Sequence, residues 1–432
     1  MEKIIIDGGR PLKGEIRASG AKNAALPILI ASLLAPGEHR FTNLPLLVDV
    51  SSTLSLLGRI GCPSLVGTAT RVDTSRIAFC EAPYDVVRKM RASVLVLGPL
   101  LARHGEALVS MPGGCAIGVR PIDQHLKGLE ALGATFTLQD GYIHGKADGL
   151  VGAEIHLDMP TVTGTENILM AATLAQGVTN IYNAAKEPEI VDLANYLRSL
   201  GANITGDGTP VITVTGVSRL SPASRPYRIM PDRIETGTYL VAAAATGGDI
   251  TIVDTDPQIV KNEIELLRKV GCEITTTETT IRCKRDEPLR AFDIETAPFP
   301  GFPTDMQAQF MTLACLTNGQ SNIVEAIFEN RFMHASELIR MGAQIDAKGN
   351  HATIDGTGSL KGAQVMASDL RASAALVIAG LCASGLTQVL RIYHLDRGYE
   401  NLVGKLRSVG ARIARVSDAE QNVQVMEQAI QA

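Results

Sequence analysis

Apolar positions recur at helical spacing in six short segments that end alike: LGRIGC (57–62), LEALGA (129–134), LRSLGA (197–202), LRKVGC (267–272), LIRMGA (338–343) and LRSVGA (406–411). Leu, Ile, Val or Met alternates there with Arg, Lys, Glu or Ser, so each segment reads as an amphipathic helix with one face toward solvent. Each helix stops at a glycine, and strand residues such as NIT or EIT follow. The glycines, at 61, 133, 201, 271, 342 and 410, are spaced by 72, 68, 70, 71 and 68 residues. Six segments at one period mark internal duplication.

A second pattern runs out of phase with the first. LIASLLAPGEHRFTN, LGPLLARHGEALVS, LMAATLAQGVTNIYN, LVAAAATGGDITIVD, TLACLTNGQSNIVEA and ALVIAGLCASGLTQVLRI pass from helix through a glycine (37, 105, 177, 247, 319, 385) into a strand. These helices are apolar on nearly every side, which predicts burial. Each unit of about 70 residues thus holds two helices and several strands. Six units divide as three plus three, with the break near SPASRPYRIMP (221–231). The expectation is two similar α/β domains, each with buried helices packed against sheets.

The polar starts of the buried helices carry the first candidate chemistry. Ser19, Thr163, Asp232, Thr304 and Ser368 are the expected N-caps. Lys22, Arg91, Arg233 and Arg371 fall in or beside first turns, where a cation opposes the helix dipole. A bound anion would relieve that conflict, a reading that suits Lys22 and Arg371; Arg233 is assigned to the surface or a domain contact. A separate signal is MPGGCAIGVRPIDQH (111–125), a loop bracketed by prolines that sets Cys115 after two glycines and Arg120 five residues on. Such a loop reads as a lid that carries both side chains.

Composition narrows the class. Net charge is −5, there is no Trp, and only 4% of residues are aromatic, which argues against a nucleic-acid partner. Seven scattered cysteines without a C-x-x-C fit free thiols in a reducing cytoplasm. Cys62, Cys272, Cys315 and Cys382 fall in core slots of the repeat, and Cys80 and Cys283 have no functional case. The start MEKIIIDGGR is not a signal peptide, and no apolar run reaches the ~18 residues that span a bilayer. No metal or cofactor is expected, since no H-E-x-x-H, Walker A or acidic triplet occurs. Oligomeric state is not predicted.

SGAKNAALP, MPGGCAIGVRPIDQHLKGLEALGA, FPTDMQAQFMTLA, FENRFMHASELIRMGA, SDLRASAALVIAGL and YHLDRGYENLVGKLRSVGA together resemble the bacterial UDP-N-acetylglucosamine 1-carboxyvinyltransferase family, over residues 2–416. The resemblance implies two inside-out α/β barrels, each of three repeats, with a ligand cleft between them. It places residues 22–229 in the first and residues 1–21 with 230–418 in the second, and leaves 419–432 as a tail. It implies transfer of the enolpyruvyl group of phosphoenolpyruvate to the 3-hydroxyl of UDP-N-acetylglucosamine by addition–elimination, the first committed step of peptidoglycan synthesis. Cys115 matches the proton donor and the thiol alkylated by fosfomycin. Asp305 matches the base or orienter of the hydroxyl. Lys22, Arg120 and Arg397 match the cations on phosphoenolpyruvate, with Asp369 and Arg371 close by. Asn23, Arg91, Pro121, Ile122, Asp123, Gln124, Pro160, Thr161, Val162, Thr163, Ile327 and Phe328 match contacts to the nucleotide sugar. His125 is placed to hold the loop, and His334 and His394 to make structural hydrogen bonds.

One stretch departs from the family pattern. TVTGTEN (161–167) stands where many relatives read like SVGATEN, so Thr163 occupies a common glycine slot. The alternatives are a shikimate 3-phosphate enolpyruvyl transferase, which lacks this cysteine loop and the FENRFMH segment, an RNA 3′-phosphate cyclase, which wants a basic surface, and a non-catalytic nucleotide-sugar scaffold.

Overall fold

The computed structural model describes residues 2–87, 90–111 and 122–417. These fall into two compact units, one holding the chain up to Ser19 and from Pro231 onward, the other running from Gly20 to Met230. Six four-stranded sheets share one plan, three in each unit. A short strand runs parallel to a second, and two antiparallel strands continue the sheet, as a hairpin in five of the six. In the sheet of Glu106–Ser110, for example, Glu81–Ala82 lies parallel on one side while Tyr142–Lys146 and then Thr135–Gln139 continue antiparallel.

The expected helices form at both glycine series. The six glycines that end the amphipathic helices have φ between 95° and 112°, the left-handed region that a β-carbon disfavours. The apolar helices are the interior. Every residue of Gln307–Cys315 is buried, and all but one residue of Arg233–Thr246. In that unit Arg233–Thr246, Gln307–Cys315 and Leu370–Cys382 pack on one another. In the other, Lys22–Ala31 packs on the turn Arg91–Val96, which leads into Leu97–His104, and that helix packs on Val162–Ala172. Helices lie inside and sheets outside, each unit with its own apolar core.

Three strands lie away from their neighbours in sequence. Glu2–Asp7 pairs with Leu386–Leu390 and Arg412–Ser417, so the start of the chain completes the sheet of the last repeat. Lys13–Arg17 runs beside Asp249–Val253, and Tyr227–Arg228 beside Glu38–Thr42. The strand before each unit's first buried helix therefore belongs to the other unit's sheet.

The cysteines follow the repeat. Cys62, Cys272, Cys283 and Cys315 are buried free thiols; Cys80 and Cys382 are partly buried.

Candidate active site

In the unit that includes the C-terminal repeats, the segment FPTDMQ makes a short 3-10 turn, Thr304–Met306, before the buried helix Gln307–Cys315. The turn presents Asp305 between two guanidinium groups. Arg331 Nη2 donates to Oδ1 at 2.6 Å and Arg371 Nη2 to Oδ2 at 3.0 Å. Both arginines are almost fully buried, while a quarter of the Asp305 side chain remains exposed. Burial pushes the Asp305 carboxyl up, but Arg371 and Arg331 outweigh it and hold the group well below the usual carboxylate range. Asp305 is an ionised, oriented acceptor with one edge open.

Arg371 is the second residue of the helix Leu370–Cys382. Asp369 caps that helix by accepting from the Arg371 and Ala372 amides at 2.9 and 3.0 Å. The Arg371 guanidinium lies 5.8 Å from the Tyr399 ring centroid, with Nη1 3.5 Å from the hydroxyl. That hydroxyl also meets Thr238 Oγ1 and Gln309 Nε2. His334 is buried nearby, and burial pulls it down to about 4, so the ring is neutral. Ile327 is exposed, and Phe328 lies under Arg331 with its ring centroid 5.0 Å from the guanidinium carbon. Arg397 ends the turn Ile392–Arg397, two residues before Tyr399. Asp305, Asp369 and Arg371 are thus brought together. Arg331 and Tyr399 join them without having been singled out in sequence; the signal was there, in FENRFMH and DRGYEN.

In the other unit Lys22 opens the helix Lys22–Ala31, with Asn23 half-buried behind it. Lys22 Nζ lies 3.5 Å from Asp49 Oδ2, and both side chains are largely buried. Asp49 stands in the first turn of the next helix, Val48–Ile60. The helix Val162–Ala172 starts with Thr161 as its cap, which accepts from the Gly164 amide. A β-carbon on Gly164 would fall 2.4 Å from Thr161 Cγ2, so the capping threonine requires the displaced glycine. Thr163 is then free for another partner: its hydroxyl is 3.1 Å from His125 Nε2. His125 Nδ1 faces Asn167 Nδ2 at 3.1 Å. Gln124 holds the approach, accepting from the Asp158 amide at 2.7 Å and reaching the Met159 carbonyl at 3.4 Å. Ile122 is buried, Asp123 and Pro160 are exposed, and Thr161, Val162 and Thr163 are half-buried.

Several expectations need correction. Asp232 caps its helix as expected, but the other four assigned caps do not. Ser19 Oγ turns to Glu400, and the helix at Lys22 has no side-chain cap. Thr161 replaces Thr163, Asp369 replaces Ser368, and Thr304 Oγ1 is engaged by Glu325. Thr163 and Ser368 miss the cap by position, since their helices begin at Val162 and Leu370, while the hydroxyls of Ser19 and Thr304 are taken by glutamates. Arg233 is buried, not on the surface, close enough to Glu263 to affect its ionisation. Protein carboxylates, Asp49 and Asp305, already offset the unfavourable cations Lys22 and Arg371. Cys115, Arg120 and Pro121, with the expected lid, lie outside the described residues, as does the tail from 418; Arg91 is described only by its backbone in the turn Arg91–Val96.

Among the described residues no group of three or more His, Cys, Asp or Glu could hold a metal ion, and no helix is long and apolar enough to cross a membrane. Residues 6–406 match the family model of EPSP synthase (3-phosphoshikimate 1-carboxyvinyltransferase). Curated relatives named UDP-N-acetylglucosamine 1-carboxyvinyltransferase include those of Desulfosudis oleivorans, 55% identical, and Desulforapulum autotrophicum, 56% identical, each aligned over 96% of this chain and 100% of the relative. That of Halorhodospira halophila is 52% identical over 97% of this chain and all of the relative. Among solved structures, the enolpyruvyl transferase NikO from Streptomyces tendae superposes with a TM-score of 0.86 at 26% identity, covering 96% of this chain and 99% of that one. EPSP synthase from Acinetobacter baumannii shares the fold with a TM-score of 0.76 at 19% identity, covering 96% of this chain and 100% of its own.

Proposed function

The chain belongs to the EPSP synthase family of carboxyvinyltransferases, and on that premise we propose that it transfers the enolpyruvyl group of phosphoenolpyruvate to the 3-hydroxyl of UDP-N-acetylglucosamine with release of phosphate. The reaction adds the sugar oxygen to C2 of phosphoenolpyruvate as C3 gains a proton. C3 then loses a proton, the C2–phosphate bond breaks, and the enol ether remains. Such chemistry needs a group that orients and deprotonates the hydroxyl, an acid for C3, and cations for a carboxylate and a phosphate.

The observation that carries this reading is Asp305, fixed between Arg331 and Arg371 with an open edge. Its low proton affinity makes it an orienting acceptor for the sugar hydroxyl. It becomes a base only when a bound anion draws an arginine away. Arg371, Arg397, Lys22 and Arg120 are the cations assigned to phosphoenolpyruvate. Arginine suits that task because its planar fork takes carboxylate or phosphate through two hydrogen bonds. Cys115 is assigned the proton for C3, and with it reaction with fosfomycin. Asn23, Arg91, residues 121–124, 160–163, Ile327 and Phe328 are assigned to the nucleotide sugar. Closure of the 111–121 loop would bring Cys115 and Arg120 onto the anion and exclude water. Peptidoglycan precursor synthesis in the cytoplasm is the setting.

A shikimate 3-phosphate acceptor is disfavoured, because relatives above half identity carry the nucleotide-sugar name. The test is phosphate release from phosphoenolpyruvate with each acceptor, in the wild type and in Cys115→Ala. Release with UDP-N-acetylglucosamine alone, largely lost in the variant, supports the proposal. Release with shikimate 3-phosphate, or with neither acceptor, overturns it.

A further inference from the structure

Glu325 follows the strand Asn318–Val324 and is 2% exposed. A buried carboxylate needs hydrogen-bond donors on both oxygens, and Glu325 has them on three different segments. Oε1 accepts from the amides of Ile327 and Phe328 at 2.9 and 3.1 Å and from Thr296 Oγ1 at 2.9 Å. Oε2 accepts from Thr304 Oγ1 at 2.8 Å. Arg331 Nη1 donates to the same Thr304 hydroxyl at 3.1 Å, and its Nη2 donates to Asp305. Guanidinium nitrogens only donate, so the Thr304 oxygen must receive from Arg331 and its proton must point at Glu325. The polarity of the line Arg331 to Thr304 to Glu325 is therefore fixed.

We infer that Glu325 is a positioning residue: through Thr304 it fixes the Arg331 fork that orients Asp305, and through the amides of Ile327 and Phe328 it ties the exposed turn to the same carboxylate. It touches no substrate itself. The inference rests on the proposed reaction for its kinetic consequence, and on the hydrogen-bond line alone for its structural one. Glutamine at 325 cannot restore the arrangement. Its one NH2 group must face either the backbone amides, which are donors themselves, or Thr304, whose oxygen would then accept from both the glutamine and Arg331 and turn its proton away, reversing the polarity of the line.

Two arms test it. The first measures kcat and KM separately for phosphoenolpyruvate and UDP-N-acetylglucosamine in Thr304→Val, Thr304→Ser and Glu325→Gln, with melting temperatures to normalise for folded protein. Thr304→Val cuts the line without touching the 326–328 turn. It is expected to lower kcat by about 10- to 100-fold, the scale of a small misplacement at a reacting centre, with less change in KM. Thr304→Ser is expected to restore most of it, and Glu325→Gln to raise KM for the sugar nucleotide as well. The second arm follows the Asp305 carboxyl carbon by NMR in 13C-aspartate protein, assigned with Asp305→Asn, and needs no turnover. A shifted Asp305 signal in Thr304→Val but not in Thr304→Ser supports the line. An unmoved signal, wild-type kcat in Thr304→Val, or equal loss in both threonine variants overturns it. A wild type inactive with the sugar nucleotide defeats the proposed reaction instead and leaves the NMR arm to decide.

Discussion

Asp305 and Arg371 stand 66 residues apart in sequence and meet at 3.0 Å, each at the start of its own repeat's buried helix. The duplication explains the meeting: helix starts of successive repeats converge, and a cation at one can answer an anion at the next. The pair sets the charge of the candidate site. Asp305→Asn is expected to reduce turnover by roughly 10²–10⁴-fold, the range of a positioned acid–base group. It should also change the acid stability. Asp305 is held below its unfolded value near 3.9, so its contribution is complete above that pH and fades as pH falls toward the native value. Melting curves of wild type and Asp305→Asn should therefore differ most above pH 5 and converge toward pH 2. A gap that widens on acidification would contradict the assignment.

His125 offers a protonation state that can be read directly. Asn167 Oδ1 accepts from the Gly98 amide at 2.8 Å, and its Nδ2 donates to the Val94 carbonyl at 3.2 Å, which fixes the amide orientation. Its Nδ2 therefore faces His125 as a donor, so Nδ1 of the ring must accept and Nε2 must carry the proton. That proton goes to Thr163 Oγ1 and leaves the threonine hydroxyl to donate outward at the start of Val162–Ala172. Long-range 15N–1H spectra of the ring should show the Nε2-protonated form. Thr163→Val should weaken UDP-N-acetylglucosamine binding by about tenfold, one neutral hydrogen bond, and Thr163→Ser should not. The opposite tautomer, or equal loss in both variants, would remove the role.

Much of this was legible in the sequence because the fold repeats. Twelve glycines at one period located both helix series, and all twelve have positive φ. Motifs close in sequence, such as SDLRASA and FPTDMQ, put Asp369, Arg371 and Asp305 at helix starts before any coordinates. Capping was poorly legible. Ser19, Thr304 and Ser368 are good caps by type, but their hydroxyls are taken by Glu400, Glu325 and Asp369, and two of these partners come from distant segments. Local pattern did not show that Lys13–Arg17 pairs with Asp249–Val253 or Tyr227–Arg228 with Glu38–Thr42, since parallel pairing leaves no trace there; the placement of 1–21 with the later repeats came from the family resemblance.

Thr161 and Gly164 form a pair that a double-mutant cycle can isolate. A β-carbon at 164 would meet Thr161 Cγ2 at 2.4 Å and Oγ1 at 3.1 Å. Gly164→Ala should therefore destabilise the protein by ~1–3 kcal/mol, the usual cost of overpacking. Thr161→Ser keeps the capping oxygen and removes the obstructing methyl. In that background Gly164→Ala should cost clearly less, giving a favourable coupling energy between the two changes. Additive losses in urea titrations would mean that the contact does not decide the glycine.

Glu263 gives the last prediction, and its sign is opposite to that of Asp305. It lies in the first turn of Lys261–Lys269 and is 2% exposed. Burial raises it to about 7, against the pull of its own backbone hydrogen bond and of Arg233. Its unfolded value is near 4.3, so between about pH 4.3 and 7 the folded chain keeps a proton that the unfolded chain releases. Raising the pH through that window costs stability, and above it the cost is constant. Glu263→Gln keeps the shape without the ionisation. It should melt like the wild type near pH 4 and higher than the wild type at pH 8, by an amount equivalent to at most ~4 kcal/mol, each pKa unit being worth about 1.4 kcal/mol. A variant less stable than the wild type at pH 8 would show that the Arg233 charge needs the Glu263 carboxylate more than burial penalises it.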